Sequence, residues 1–230
     1  HEQNSIQGSA NKILSKYSAF NFLGFPIKNS LKNNILSGNP IRNVFCKKPT
    51  QDVSSNNDIN IYVTGGSQGA EYLNKNLPRV FGQINYKINI KHQCGLGKLS
   101  DVKNFYQKAN INSEVQEFYK NPQSLIEWSD FVITRSGALS ISEISSMGRG
   151  MVMIPLPSSI DNHQFYNAKH IETIGMGIVH SQEDGLSDLE IKLSQVIDEK
   201  IYNDWKTKTN LEHLNAASLI SSKIIEYLSK

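Results

Sequence analysis

Between residues 57 and 200, short apolar runs alternate with amphipathic stretches, and that alternation leaves very few folds open to the chain. The runs at 59–64, 88–93, 114–118, 131–134, 152–155 and 177–179 are of strand length and lack polar alternation, so both faces of each strand need cover. Helical periodicity falls between them, at 70–81, 101–108, 122–127, 139–147, 163–174 and 187–197. Strict alternation predicts an α/β fold: a parallel, doubly wound, Rossmann-like sheet with right-handed crossovers. Ligands of such sheets bind beyond the carboxyl ends of the strands. The flanks differ. Residues 1–45 hold Pro26, Pro40, several Asn and Gly, and one clear helix at 6–16. Residues 51–58 are polar and read as a linker. Residues 203–228 read as one helix with Leu211, Leu214, Ala217, Leu219, Ile220, Ile224 and Leu228 at its apolar positions. Phe20, Phe22, Leu23 and Phe25 suit strand and core use.

Two strand ends carry glycine-rich turns into helices. Arg135-Ser136-Gly137-Ala138 follows the strand at 131–134, and Gly137 lets the backbone turn tightly and approach a ligand. The free N–H groups of the helix that follows favour an anion. Glu143 lies about one and a half turns further in, where a carboxylate repels phosphate but can accept two hydrogen bonds from a sugar diol. Phosphate on a helix start with a diol acceptor beside it describes a nucleotide. Gly65-Gly66-Ser67-Gln68-Gly69-Ala70 is a second phosphate-sized turn. It lacks the Lys-Ser/Thr pair of a P-loop and the G-x-G-x-x-G spacing, and the next strand ends in Lys91 and His92 rather than an acid for an NAD ribose.

At 230 residues the chain can bury a core without staples. A net charge of +3, with no basic run interleaved with aromatics, argues against a nucleic-acid partner. Cys46 and Cys94 are the two cysteines, far apart and without metal spacing, which fits a reducing compartment. No apolar run approaches the length of a membrane span. No acidic pair has the spacing of a metal-bound diphosphate site, so no cofactor or resident metal is expected, with a loosely bound Mg2+ left open.

His1-Glu2-Gln3-Asn4, Gly38-Asn39-Pro40-Ile41-Arg42, the two glycine turns, the run to Glu143, and Asp161-Asn162-His163-Gln164 with Asn167-Ala168 occur in an order and spacing that resemble the MurG family of bacterial cell-wall glycosyltransferases. The resemblance covers nearly the whole chain. It implies the GT-B architecture, two Rossmann-like domains with the active site between them. Residues 1–50 would then be the end of an acceptor-binding N-domain plus linker, 51–200 the donor-binding domain, and 201–230 a helix packing back toward the N-domain. The family's Gly-Gly-Thr-Gly-Gly-His loop, with its proposed base, is missing from the sequence, so the chain is expected to be an N-truncated form of doubtful activity.

By resemblance, Glu143 holds the ribose, and the helix start through Ala138, Leu139, Ser140, Ile141 and Ser142 meets the donor phosphates. Ser67 contacts the diphosphate, and the backbone of Tyr119 reads uracil. Gln164, with His163 and Asn167, binds the sugar hydroxyls, Arg42 contacts the donor, and Glu2 and Asn4 line the cleft, Glu2 being the one catalytic candidate. The implied donor is UDP-N-acetylglucosamine and the implied acceptor lipid I, whose 4-hydroxyl is glycosylated with inversion to form lipid II. The implied location is the cytoplasmic face of the bacterial inner membrane, as a peripheral protein. Plainer readings stay open: Glu143 as a solvated helix residue, Arg42 as a surface ion-pair partner, Asp161 as an N-cap with His163 and Gln164 in local capping, and Asn4 as a frayed end. Two further functions remain open, a UDP-sugar 2-epimerase on the same fold and a nucleotide-sugar-binding remnant without activity.

Overall fold

The computed structural model describes residues 1–27, 32–46 and 58–230. All but the last residue of the expected 51–58 linker lies outside the described residues. The expected alternation is present. It runs β3 (Ile59–Thr64), α2 (Glu71–Phe81), β4 (Ile88–Gln93), α3 (Leu99–Lys108), β5 (Ser113–Gln116), α4 (Pro122–Trp128), β6 (Phe131–Thr134), α5 (Ala138–Ser146), β7 (Met151–Met153), α6 (His163–Thr173), β8 (Gly177–Val179) and α7 (Gly185–Asp198). Before these come α1 (Ser9–Leu14), β1 (Asn21–Leu23) and β2 (Asn34–Leu36), and after them α8 (Ile201–Lys206) and α9 (Ala216–Leu228).

The six strands β3 to β8 form one parallel sheet in the order β5-β4-β3-β6-β7-β8. Successive strands step one way from β3 and the other way from β6. The gap between β3 and β6 is therefore the topological switch point, where a doubly wound sheet opens a crevice. Both glycine turns leave the sheet there. Side chains alternate across the sheet, and its apolar ones fill both faces. Ile61, Val63, Phe131 and Ile133 face one core with α2, α3 and α7, while Tyr62, Val132, Met151 and Met153 face the other with α4, α5 and α6. Covered faces explain why β3, β6, β7 and β8 are mainly apolar, whereas β4 alternates Asn89 and Lys91 with buried isoleucines and the edge strand β5 exposes Glu114 and Gln116, contrary to the expected lack of polar alternation.

Three elements differ from expectation. The helix at 6–16 shortens to α1, and β5 stops at Gln116, leaving Phe118 58% exposed. The single helix expected at 203–228 is broken. Trp205 buries its ring against Gly150, where a Cβ would come within 2.2 Å of the indole, and it stacks edge-on to Phe131. The chain must then leave that pocket, and Asn210 turns it by donating its N–H to the Ser145 carbonyl while its side chain accepts from the Glu212 N–H. Leu211 sits in a short 3-10 turn rather than on a helix face. Helical periodicity continued through 207–215 only by coincidence.

Residues 1–27 and 32–46 form a small annex. β1 and β2 make a two-stranded parallel sheet, with Glu2 bridging to Leu23 on its free side. Phe22, Leu23 and Phe25 are buried, as expected of strand and core residues. Such a pair is marginal alone, and it is held by Phe25 against His170 and His213 and by Phe20 against Tyr227 of α9.

Two buried histidines make the fold acid-sensitive. His92 accepts from the Tyr106 hydroxyl at Nδ1 and donates from Nε2 to Asn74, which in turn holds the Cys94 carbonyl. Burial pushes its pKa down to about 3. His213 accepts from the Asn39 N–H, and burial, with His170 nearby, takes its pKa down to about 4. Both groups are held neutral in the fold but protonate near 6.5 when unfolded. Their contribution is complete above pH 6.5 and is lost as pH falls toward 4 and 3. At pH 5 each removes about 2 kcal/mol. Urea unfolding at pH 7 and pH 5 should show that loss, and His92→Gln should shrink it.

Candidate functional site

A cleft of about 600 Å³ opens at the switch point, lined by the turn Gly65–Ala70, by Glu71 and Tyr72, and by Arg135, Gly137, Ser140, Leu156, Gln164 and Gln182. Two helices, α2 and α5, start at its walls from Ala70 and Gly137, and neither start carries a side-chain cap. Their first N–H groups are open to an anion, with both dipoles favouring it. The first turn depends on glycine. Gly66 and Gly69 have φ of +82° and +68°, and a Cβ on Gly69 would lie 1.9 Å from the Cys94 carbonyl. Gln93 ties the two strand tips together by donating to the Gly66 carbonyl and accepting from the Tyr119 N–H.

Arg135 supplies the positive charge of this cleft, whose lining also includes the Glu71 carboxylate. Its Nη1 donates to the carbonyls of Ile154 and Pro155 at 2.9 and 3.0 Å, and its Nη2 donates to Gln182 at 3.2 Å. All these partners are neutral, so the positive charge remains available to an anion. In the sequence Arg135 stands out only as part of a glycine turn. No spacing rule connects it to Gln182, 47 residues away in sequence. Tyr72, which no motif in the sequence marks, also lines the cleft. Its hydroxyl lies 3.4 Å from buried His180, which pairs with Asp188. His180, Asp184 and Asp188 bring three potential ligand atoms within 4.8 Å, but the Lys192 ammonium already sits 2.7 Å from Asp188 and 3.6 Å from Asp184. That lysine is the counter-charge of the cluster.

The residues expected to form the site fall into three groups. Ser67, Ser140 and Gln164 line the cleft, Leu139 is exposed on α5, and Gln164 is oriented by the Leu156 N–H, which donates to its Oε1 at 3.0 Å. Glu143 lies one turn beyond Ser140 on the same face of α5. Both its oxygens are held by Arg42, from Nε at 2.9 Å and Nη2 at 3.2 Å. That contact raises the Arg42 pKa above its ordinary value.

A second group is buried and available only through backbone. Ala138, Ile141 and Ser142 face the core, because the helical period that turns Leu139, Ser140 and Glu143 outward turns them in. The Ser142 hydroxyl donates to the Ala138 carbonyl and accepts from Asn39. Tyr119 is buried, with its N–H on Gln93 and its hydroxyl on the Glu114 carbonyl, so its backbone donor is not free to read a base. Leu96 and Phe118, at the neighbouring tips of β4 and β5, are instead the exposed apolar side chains there, 83% and 58% accessible.

The third group is structural. Asn167 is fully buried. Its carbonyl accepts from the Ser5 N–H at 2.8 Å, and its amide donates to Asn4 and to the Ser136 carbonyl. Asn167, expected to meet sugar hydroxyls, is here bonded to Asn4, which was expected to line the cleft, and Asn4 is thereby held rather than frayed. Glu2 is equally committed. Its carboxylate accepts from the N–H groups of Asn4 and Gly8 and from the side-chain amides of Asn4 and Asn11. Burial alone would raise its pKa, but these bonds outweigh burial and lower it. A carboxylate so held positions a loop and is a poor base. His163 donates through Nδ1 to the Ile160 carbonyl. The local capping expected of Asp161 is absent, since α6 starts from a left-handed Asn162 with no side-chain cap.

With this geometry in place, comparisons with known proteins become specific. A family model described as the glycosyltransferase family 28 C-terminal domain matches residues 60–223. The chain belongs to glycosyltransferase family 28. Its fold is that of GT-B glycosyltransferases, and the solved MurG of Acinetobacter baumannii superposes with a TM-score of 0.85 at 26% identity, over 98% of this chain and 65% of that one. The UDP-N-acetylglucosamine--N-acetylmuramyl-(pentapeptide) pyrophosphoryl-undecaprenol N-acetylglucosamine transferase of Saccharophagus degradans is 37% identical over 80% of this chain and 48% of its own length. The Haemophilus influenzae protein of the same description is 31% identical over 99% of this chain and 65% of its own. The chain thus spans about half the length of several curated relatives it matches. A UDP-GlcNAc 2-epimerase from Neisseria meningitidis aligns with a TM-score of 0.50 at 17% identity, a likeness of fold alone. Among the described residues, no helix of this family 28 chain is long and apolar enough to cross a membrane.

Proposed function

We propose that this chain is the donor-binding part of an inverting N-acetylglucosaminyltransferase that moves the sugar from UDP-N-acetylglucosamine to the 4-hydroxyl of lipid I, at the cytoplasmic face of the bacterial inner membrane. The observation that carries the reading is the cleft at the β3–β6 switch point, where two uncapped helix starts and Arg135 converge one turn from Glu143. In this reading the diphosphate lies between the helix starts, the ribose diol reaches Glu143, and the base extends toward Leu96 and Phe118. Gln164 meets the transferred sugar. When the glycosidic C–O bond breaks, negative charge grows on the departing UDP. The helix dipoles and Arg135 favour that charge where it develops. The acceptor hydroxyl loses its proton as the new C–O bond forms, and Glu2, engaged by four donors, is not assigned that step. Membrane and acceptor contacts belong to the same proposal and rest on the relatives.

Calorimetric titration with UDP-N-acetylglucosamine, UDP and ADP, followed by a transfer assay on a lipid I analogue, tests the reading. Saturable binding of both uridine ligands, with ADP much weaker, is the expected result. Equal binding of ADP would remove the uridine assignment, and a 2-epimer product would favour the epimerase. Tight binding without transfer would assign the chain to donor capture alone.

A further inference from the structure

We propose that Arg42 sets the ligand specificity of this site by occupying the Glu143 carboxylate until a phosphate-bearing nucleotide offers the guanidinium another anion. The proposal rests on Glu143 as the ribose acceptor and adds what Arg42 does with that acid. Both carboxylate oxygens accept from the two-pronged guanidinium, at 2.9 and 3.2 Å. A ribose diol needs the same two oxygens. A bare nucleoside must therefore displace a charge-assisted, two-point contact with neutral hydroxyl groups. A nucleoside diphosphate carries its own replacement partner for the arginine. Its phosphates would lie at the start of α5, where Ser140 lines the cleft one turn from Glu143.

The arginine is built to change partners. Its side chain is 60% exposed, whereas that of Glu143 is 16% exposed. The guanidinium stacks 4.6 Å from the Phe45 ring. Pivoting therefore breaks an exposed ion pair and leaves the core packing intact. An ion pair this exposed changes ligand affinity by only about fivefold. Its effect has opposite signs for the two ligand types, so their ratio reports it.

The experiment measures uridine, 2′,3′-dideoxyuridine and UDP by calorimetry on the wild type, Arg42→Ala and Arg42→Gln, with thermal melts to confirm folding. In the alanine variant uridine should bind about fivefold tighter and UDP about tenfold weaker, with glutamine intermediate. Raising salt should strengthen uridine binding to the wild type and leave the alanine variant unchanged. Uridine affinity that is unchanged or lower in Arg42→Ala, while uridine still outcompetes its dideoxy analogue in both proteins, would overturn the proposal and leave the ribose assignment standing. Equal binding of uridine and dideoxyuridine to every protein would instead remove that assignment, and this proposal with it.

Discussion

Glu143→Ala should weaken UDP about 10- to 100-fold while leaving the melting temperature nearly unchanged. A hydrogen bond to an ionised carboxylate contributes roughly 1.5–3 kcal/mol in a favourable site, and a total of about 3 kcal/mol for the two ribose bonds, at the low end because Glu143 is reached by solvent, sets the upper end. The lower end follows from Arg42. Without its partner, that guanidinium is released toward the phosphates and recovers part of the loss. Stability changes little because Glu143 sits on the outer face of α5 and its ion pair with exposed Arg42 contributes under about 1 kcal/mol. Calorimetry and a melt on one sample separate the two effects. Unaltered UDP affinity in a folded Glu143→Ala protein would contradict the ribose assignment.

Gly69→Ala should have the largest effect on folding, about 3–5 kcal/mol, lowering the melting temperature by roughly 10 °C. The left-handed φ of +68° costs an alanine roughly 1–2 kcal/mol. The added Cβ would also lie 1.9 Å from the Cys94 carbonyl, a backbone atom that can retreat only by moving β4. Gly66→Ala is the internal control. Its φ of +82° carries the same conformational cost, but nothing lies within 4 Å of the added carbon. It should lose only about 1–2 kcal/mol. Equal losses at the two positions would mean that close approach of the loops is not what requires glycine at 69.

Strands β3, β6, β7 and β8 were legible because covered faces leave few polar residues, β4 because buried isoleucines alternate with polar residues, and the helices between them because each has one buried stripe. The glycine turns were legible because their residue types have few other uses. What escaped the sequence depends on pairs distant along the chain. Nothing local tells that Arg135 spans to Gln182, that Asn167 is consumed by Asn4 and Ser5, or that Gln93 takes the Tyr119 N–H. A residue with the right chemistry for a ligand has the right chemistry for a neighbour, and only the fold decides which it meets. The same limit explains the broken helix after α8. Leu211 kept the period, but the burial of Trp205 set the direction of the chain.

Asn167 has a mechanical consequence. Through one side chain it grips residues 4 and 5 and the carbonyl of Ser136, at the entrance to the α5 turn. It acts as a rivet between the annex and the anion cradle. A displacement at the first few residues is thereby carried to the backbone that would face phosphate, without passing through Arg42. Anything that shifts residues 4 and 5 therefore has a direct lever on the shape of the cleft between the two helix starts.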